Sequence, residues 1–293
     1  MPTSVVRIFT SQQQAEHLGQ IAGELLPLDE MSVALSETAP DDPVWRVDIY
    51  AGPNTPPDEL EREVRSVLGA EIEGLRIEAE SIEDADWVAA SLAGLDPVPA
   101  GRFLVHGAHD ADRVPEGVIA IQVEAALAFG TGHHGTTKGC LIAFDTLVQQ
   151  TTPARVLDLG TGTGVLAIAA AKLLGINVLA SDIDTTSVGI AQANVEINGV
   201  EDRVKVIEAD GFGHPDIAAR APFDLIFANI LAGPLIALAP EIAKAAAPGG
   251  HVILSGLMSE QADAVRDAYL ASGFGVVRES VLDNWVTMTL AAA

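Results

Sequence analysis

A single cysteine, Cys140, occurs in 293 residues. That excludes a disulfide framework within the chain and fits a reducing compartment. Aromatic residues are scarce at 4%, although 48% of the chain is hydrophobic, so Ala, Val, Leu and Ile must build the core. No apolar run approaches the ~20 residues of a membrane span. The first residues, Met1-Pro-Thr-Ser-Val-Val, lack a basic region followed by an apolar core, so no signal peptide is expected and a cytoplasmic location is. Lysine is missing from residues 1–96, which carry 20 acidic and 5 basic side chains for a net charge of −15. Residues 97–293 carry 21 and 11, a net of −10, and the whole chain stands at −25. Such a surface repels naked nucleic acid, whose binding depends on neutralising phosphates. It would speed the encounter with a basic partner, although ordinary solubility also accounts for the charge.

The length allows two domains with a sizeable core, and the hydrophobic patterning divides the chain that way. Residues 5–9, 32–36, 45–50 and 75–79 read as strands, and residues 12–26 and 58–68 as amphipathic helices. The order βαββαβ is the ferredoxin-like α+β arrangement, expected to occupy residues 1–82. Residues 83–95 read as a short helix, and Gly94 to Gly101, with two prolines, as linker and hinge. A linker over 83–102 is therefore expected before a second domain at 103–293. The second domain opens with strands at 102–105 and 118–123. Strands and helices then alternate, the mark of an α/β fold with a mostly parallel sheet, here expected to have seven strands. Its helices are expected at 139–149, 186–197, 235–247 (stopped by Pro248-Gly-Gly250) and 259–272. A closing hairpin turns at Asp283-Asn284.

The chemistry gathers at the strand ends of that second domain. Val156-Leu-Asp-Leu159 is a buried strand, followed by Gly160, Gly162 and Gly164 at alternate positions and then a strong helix former, Val165-Leu-Ala-Ile-Ala-Ala170. A glycine turn between strand and helix lets a ligand approach the main chain. The spacing is not the G-x-G-x-x-G of dinucleotide enzymes, and Asp158 would repel a pyrophosphate there. A second strand ends in Asp182-Ile-Asp184, placed to accept from ribose hydroxyls, and a third in Glu208-Ala-Asp210, placed to accept from an exocyclic amine. Three acidic strand ends around one glycine turn point to an adenosine ligand without phosphates, S-adenosylmethionine. A fourth strand, residues 222–231, carries Asn229 to the same edge of the sheet. The loop Ala128-Phe-Gly-Thr-Gly-His-His-Gly-Thr-Thr137 can lie over such a cofactor. Its paired His133 and His134 have no further ligands at metal spacing, so no metal is expected.

Four of these stretches carry a family resemblance: Phe129-Gly-Thr-Gly-His-His-Gly-Thr-Thr137, Asp158-Leu-Gly-Thr-Gly-Thr-Gly164, Asp182-Ile-Asp184 and Asn229-Ile-Leu-Ala-Gly-Pro234. Together they resemble the PrmA family, which methylates the large-subunit ribosomal protein L-eleven. The resemblance implies a Rossmann-like class I S-adenosylmethionine-dependent methyltransferase domain behind a ferredoxin-like substrate-recognition module. It also implies cofactor contacts at Phe129, Thr137, Asp158, Gly160, Gly162, Gly164, Asp182, Ile183, Asp210 and Asn229. Of these, Thr137, Gly160, Asp182 and Asn229 match the family's contacts position by position. Two departures stand out: His133-His134-Gly135 where the family usually has Thr-His-Pro, and Glu124-Ala125-Ala126 where it usually has Asp-Pro-Gly. The implied substrate is a basic ribosomal protein free of the ribosome, modified at lysine side chains, at the α-amino group, or at both. A monomer is expected, with no direct binding of nucleic acid or membrane.

Asn229 is the residue expected to aim the substrate amine, or else to serve only the cofactor. For proton removal His134 and solvent are the candidates. The alternatives are a lysine methyltransferase for another protein, such as an electron-transfer flavoprotein subunit, and an inactive cofactor-binding adaptor. Nucleic-acid methylation is disfavoured because no Pro-Pro-aromatic run follows Asn229 to stack a flipped base.

Overall fold

The computed structural model describes residues 3–25, 31–38, 44–51, 55–82, 97–123 and 135–293. The chain forms two compact units, residues 1–91 and 92–293.

The first unit is built from β1 (Thr3–Ser11), α1 (Gln12–Leu25), β2 (Met31–Glu37), β3 (Val44–Ala51), α2 (Pro57–Leu68) and β4 (Arg76–Ile82). Its four strands pair antiparallel in the order β2-β3-β1-β4, the ferredoxin-like order expected of βαββαβ. Period-two alternation puts Val6, Ile8, Val47 and Ile49 on the face that meets the helices. Ala15, Leu18 and Ala22 of α1 and Leu60, Val64 and Leu68 of α2 complete that core at helical spacing. Pro57 opens α2, and Asp58 and Glu59 occupy its first turn, where the helix dipole favours acids.

The second unit begins with a small sheet of β5 (Val98–Ala100), β6 (Phe103–His106) and β7 (Ile119–Gln122), with β5 antiparallel and β7 parallel to β6. Residues 98–101, read from sequence as linker and hinge, thus belong to a packed sheet. Ala100 is buried, and Gly101 turns at φ +62° with its Cα against the Asp145 carboxylate. Arg102 N–H and its guanidinium both donate to that carboxylate. Two prolines and two glycines suited a linker equally well; the partners that hold the turn come from residue 145. The helix expected at 83–95 lies outside the described residues.

Then follow α3 (Gly135–Leu147), β8 (Val156–Leu159), α4 (Val165–Leu174), β9 (Val178–Asp182), α5 (Thr185–Ile197), β10 (Val204–Glu208), α6 (Pro215–Arg220) and β11 (Phe223–Asn229). After them come α7 (Ala232–Ala245), β12 (Ala246–Met258), α8 (Ala262–Ala271), β13 (Phe274–Leu282) and β14 (Trp285–Ala292). The seven-stranded sheet runs β10-β9-β8-β11-β12-β14-β13, and only β14 is antiparallel to its neighbours. Apolar cores cover both faces, one with Val156, Ile168 and Phe227, the other with Leu157, Ile226 and Leu254. That is why the parallel strands read as continuous apolar runs.

Three local readings change. The helix expected from residue 139 starts at Gly135, so Thr136 and Thr137 lie in its first turn rather than in a loop. The helix expected to stop at Pro248 ends at Ala245, because Ala246 is already extended and paired with Phe223. Pro215–Arg220, unassigned from sequence, is a short helix whose first N–H groups include one donating to the His214 ring. The hairpin turn is as read: Asp283 and Asn284 sit at φ +49° and +66°, the two left-handed positions of a type I′ turn.

Candidate active site

Strands β8, β9, β10 and β11 are parallel, so their carboxyl ends share one edge of the sheet. The chain order reverses there between β8 and β11, which is where ligands of open α/β sheets bind. The turn after β8 takes left-handed backbone at Gly160, Gly162 and Gly164 (φ +69°, +54° and +83°), a conformation that disfavours any side chain. At Gly160 a Cβ would stand 2.3 Å from Ile230 Cγ2. At Gly164 it would press on Ala191 of α5 at 3.3 Å, so this third glycine serves helix packing.

The carboxylates are not equivalent. Asp158 is 1% exposed and lies beneath the turn. Its Oδ2 accepts from Thr161 Oγ1 at 2.6 Å and from Ala167 N–H at 3.0 Å. Burial, reinforced by the nearby Asp182 charge, pushes its carboxyl up to about 6 against the hydrogen bonds that lower it. Asp182 is half-buried at the tip of β9 and accepts from Gly162 N–H at 2.8 Å and Asp184 N–H at 3.1 Å. It therefore clamps the glycine turn as well as facing the strand edge. Asp184 caps α5, accepting from Thr186 and Ser187 N–H. Asp210 stands exposed beyond the tip of β10.

Asn229 is half-buried at the end of β11. Its Nδ2 lies 3.4 Å from Thr137 Oγ1, so the tertiary structure joins two sequence-predicted residues that stand 92 positions apart. Ile183 and Leu231, following the tips of β9 and β11, are large apolar side chains left 66% and 67% exposed. Sequence reasoning passed over two supports of the turn. The Ser181 carbonyl accepts from both Gly160 and Thr161 N–H, and the fully buried Asn194 amide donates to the Thr163 carbonyl at 2.9 Å. A buried Asn inside an otherwise ordinary helix was the only signal available for the second. Phe129, His133 and His134 lie outside the described residues.

The segments 158–164, 182–186, 208–212 and 229–234 contain no Lys or Arg. A glycine turn without Cβ atoms, carboxylates and exposed apolar side chains suit a nucleoside bearing positive charge, and there is no cation to hold phosphates. Fold and site together define a class I S-adenosylmethionine-dependent methyltransferase. The family described as ribosomal protein L11 methyltransferase (PrmA) matches residues 29–293. The ribosomal protein L11 methyltransferase of Mesorhizobium japonicum is 47% identical over 291 residues, covering 99% of each chain. That of Rhodopseudomonas palustris is 45% identical over 284 residues, covering 97% of this chain and 95% of the relative. The crystal structure of ribosomal protein L11 methylase from Lactobacillus delbrueckii subsp. bulgaricus superposes with a TM-score of 0.61 at 28% identity. It covers 68% of this chain and 99% of that one. The chain belongs to the ribosomal protein L11 methyltransferase (PrmA) family. Among the described residues no helix is long and apolar enough to cross a membrane.

Proposed function

We propose that this enzyme transfers methyl groups to amino groups of ribosomal protein L11, on lysine side chains, on the α-amino group, or on both. The observation that carries the reading is Asn229 standing at the tip of β11, beside a glycine turn and a strand edge rich in carboxylates. Gly160 and Gly162 would let the methionine portion of the cofactor lie against the main chain, and Asp182 would accept from the ribose. Ile183 and Phe129 would wall the adenine, and Asp210 would meet its amine. Gly164 and Asp158 act from beneath by holding the turn, with the Asp158 carboxylate adding negative potential. Thr137 borders the same edge through its contact with Asn229. When bound, S-adenosylmethionine supplies an electrophilic methyl group whose leaving sulfur is already activated.

The protein's part is then alignment and desolvation. The amine must arrive neutral, because a protonated amine has no lone pair. The Asn229 side-chain carbonyl accepts a hydrogen bond from that amine and aims the lone pair, and no acid or base is needed for this. Proton loss goes to solvent or to His134. The N-terminal unit serves as the substrate-recognition module for the basic ribosomal protein before it joins the ribosome. The enzyme works as a monomer in the cytoplasm, without binding nucleic acid directly.

The test is transfer of labelled methyl groups from S-adenosylmethionine to undermethylated ribosomal proteins, read by intact-protein mass spectrometry. A mass gain on L11 alone is expected. Asn229→Ala should lower turnover about 100-fold, the scale of a misaligned reactant, while its cofactor affinity stays within a few-fold. Cofactor binding with no methylation of L11 would refute the substrate assignment.

A further inference from the structure

We propose that Thr137 is a positioning residue that sets which way round the Asn229 amide faces. The inference rests on the aiming role given above to Asn229. An asparagine side chain offers a carbonyl oxygen on one side and an NH2 group on the other, and the two are close in shape. Only the orientation with Oδ1 toward the substrate accepts from an incoming amine; the reverse presents N–H to N–H. Something must therefore break the near-symmetry. In the structure the group that does so is Thr137, whose Oγ1 accepts from Asn229 Nδ2 at 3.4 Å.

The placement of that hydroxyl is unusually constrained. Thr137 is fully buried in the first turn of α3. The turn is held down on the closing hairpin by two glycines that flank it. At Gly135 a Cβ would stand 2.7 Å from the Leu282 carbonyl oxygen and 3.2 Å from Trp285. At Gly139 it would stand 2.2 Å from Thr287 Oγ1. Without side chains at these positions the helix start sits directly on β14 and its turn, which fixes the height of Thr137 above the sheet. Thr287 is itself tied to Ser255, whose hydroxyl donates to the Val286 carbonyl at 2.8 Å and lies 3.2 Å from Thr287 Oγ1. Ser255 is the register partner of Asn229 on the neighbouring strand. The loop-to-helix junction, the closing hairpin and the tip of β11 thus form one packed unit, in which Thr137 can reach only Nδ2 or Oδ1 of Asn229. A hydroxyl that donated to Oδ1 instead would turn the NH2 group to the substrate. The inference commits to the first arrangement.

The test compares Thr137→Val, which keeps the shape and removes the hydroxyl, with Thr137→Ser, which keeps the hydroxyl. Two readouts are taken. In the cofactor-free protein, the side-chain amide protons of Asn229 are followed by NMR. One should be protected from exchange and shifted in the parent and in Thr137→Ser, and both should become averaged in Thr137→Val. In methyl transfer to L11, Thr137→Val should lose about 10- to 100-fold in kcat, as expected when alignment alone is lost. Its affinity for S-adenosylhomocysteine should stay within about twofold, and Thr137→Ser should recover most of the rate. Unchanged Asn229 signals in Thr137→Val would overturn the inference. So would a loss of cofactor affinity that matches the loss of rate, since Thr137 would then serve the cofactor. An inactive Asn229→Ala enzyme beside an intact Thr137→Val enzyme would refute the positioning role alone. An active Asn229→Ala enzyme would refute the aiming role beneath it.

Discussion

Replacing Asp158 by Asn should make this protein more stable at neutral pH and a poorer binder of its cofactor. Both hydrogen bonds to the Asp158 side chain, from Thr161 Oγ1 and Ala167 N–H, end on one oxygen, Oδ2. An amide oxygen in its place can accept both. What changes is the charge. Burial raises the Asp158 carboxyl from 3.8 to about 6, so the folded protein holds this proton more tightly than the unfolded chain does. Stability therefore falls as pH rises from about 4 through about 6 and is lowered in full above that range. The difference corresponds to ~3 kcal/mol at pH 7 and about 1 kcal/mol at pH 4.5. Asp158→Asn removes the penalty, so its Tm at pH 7 should exceed the parent's by up to about 6–12 °C for a unit of this size. The gap should shrink by roughly two thirds at pH 4.5. Thermal denaturation of both proteins across that range measures it, and calorimetry with S-adenosylmethionine should show weaker binding by the variant. If Asp158→Asn is less stable than the parent at pH 7, or the gap stays constant down to pH 4.5, the burial argument is wrong.

Two further outcomes follow from the same region. Gly256 sits at φ +86°, and a Cβ there would stand 2.2 Å from the Ile230 carbonyl oxygen. Gly256→Ala should cost about 2–5 kcal/mol from left-handed strain plus overlap and should displace the chain next to Asn229, so Tm and kcat fall together; an unaltered kcat would show that the strand tips can separate freely. Asn194→Ala leaves the Thr163 carbonyl without its donor, which should lower stability by about 1–3 kcal/mol and loosen the glycine turn, read as weaker cofactor binding in calorimetry.

Much of the architecture was legible in the sequence because its signals are local. Period-two runs marked β1 to β4, and the alternation of apolar runs with helix formers marked the parallel sheet. The glycines of the β8 turn declared left-handed backbone, and Asp283-Asn284 declared the hairpin. The misreadings came where local preference was neutral. Gly135-Thr-Thr137 has poor intrinsic helix preference, and it became a helix start because it packs on β14. Ala246-Ala247 reads as helix, and it became strand because β11 offers an edge to pair with. Residues 98–101 carry linker residues, and they became a sheet edge because Asp145 captures the turn. In the site, acidic strand ends were readable as a set. Their division of labour was not: Asp158 lies under the turn, Asp182 clamps it and Asp184 caps a helix.

The sequence by itself determined the element order, the glycine turn, the sign of the charge at the strand ends and the family, because each of these resides in residue type and spacing along the chain. Only the tertiary structure decided that Thr137 meets Asn229 across 92 positions, that Gly135, Gly139 and Gly256 are needed to let backbones approach, and that one buried carboxylate titrates near 6. Those properties depend on which atoms exclude water from one another, and that is settled by packing between distant segments.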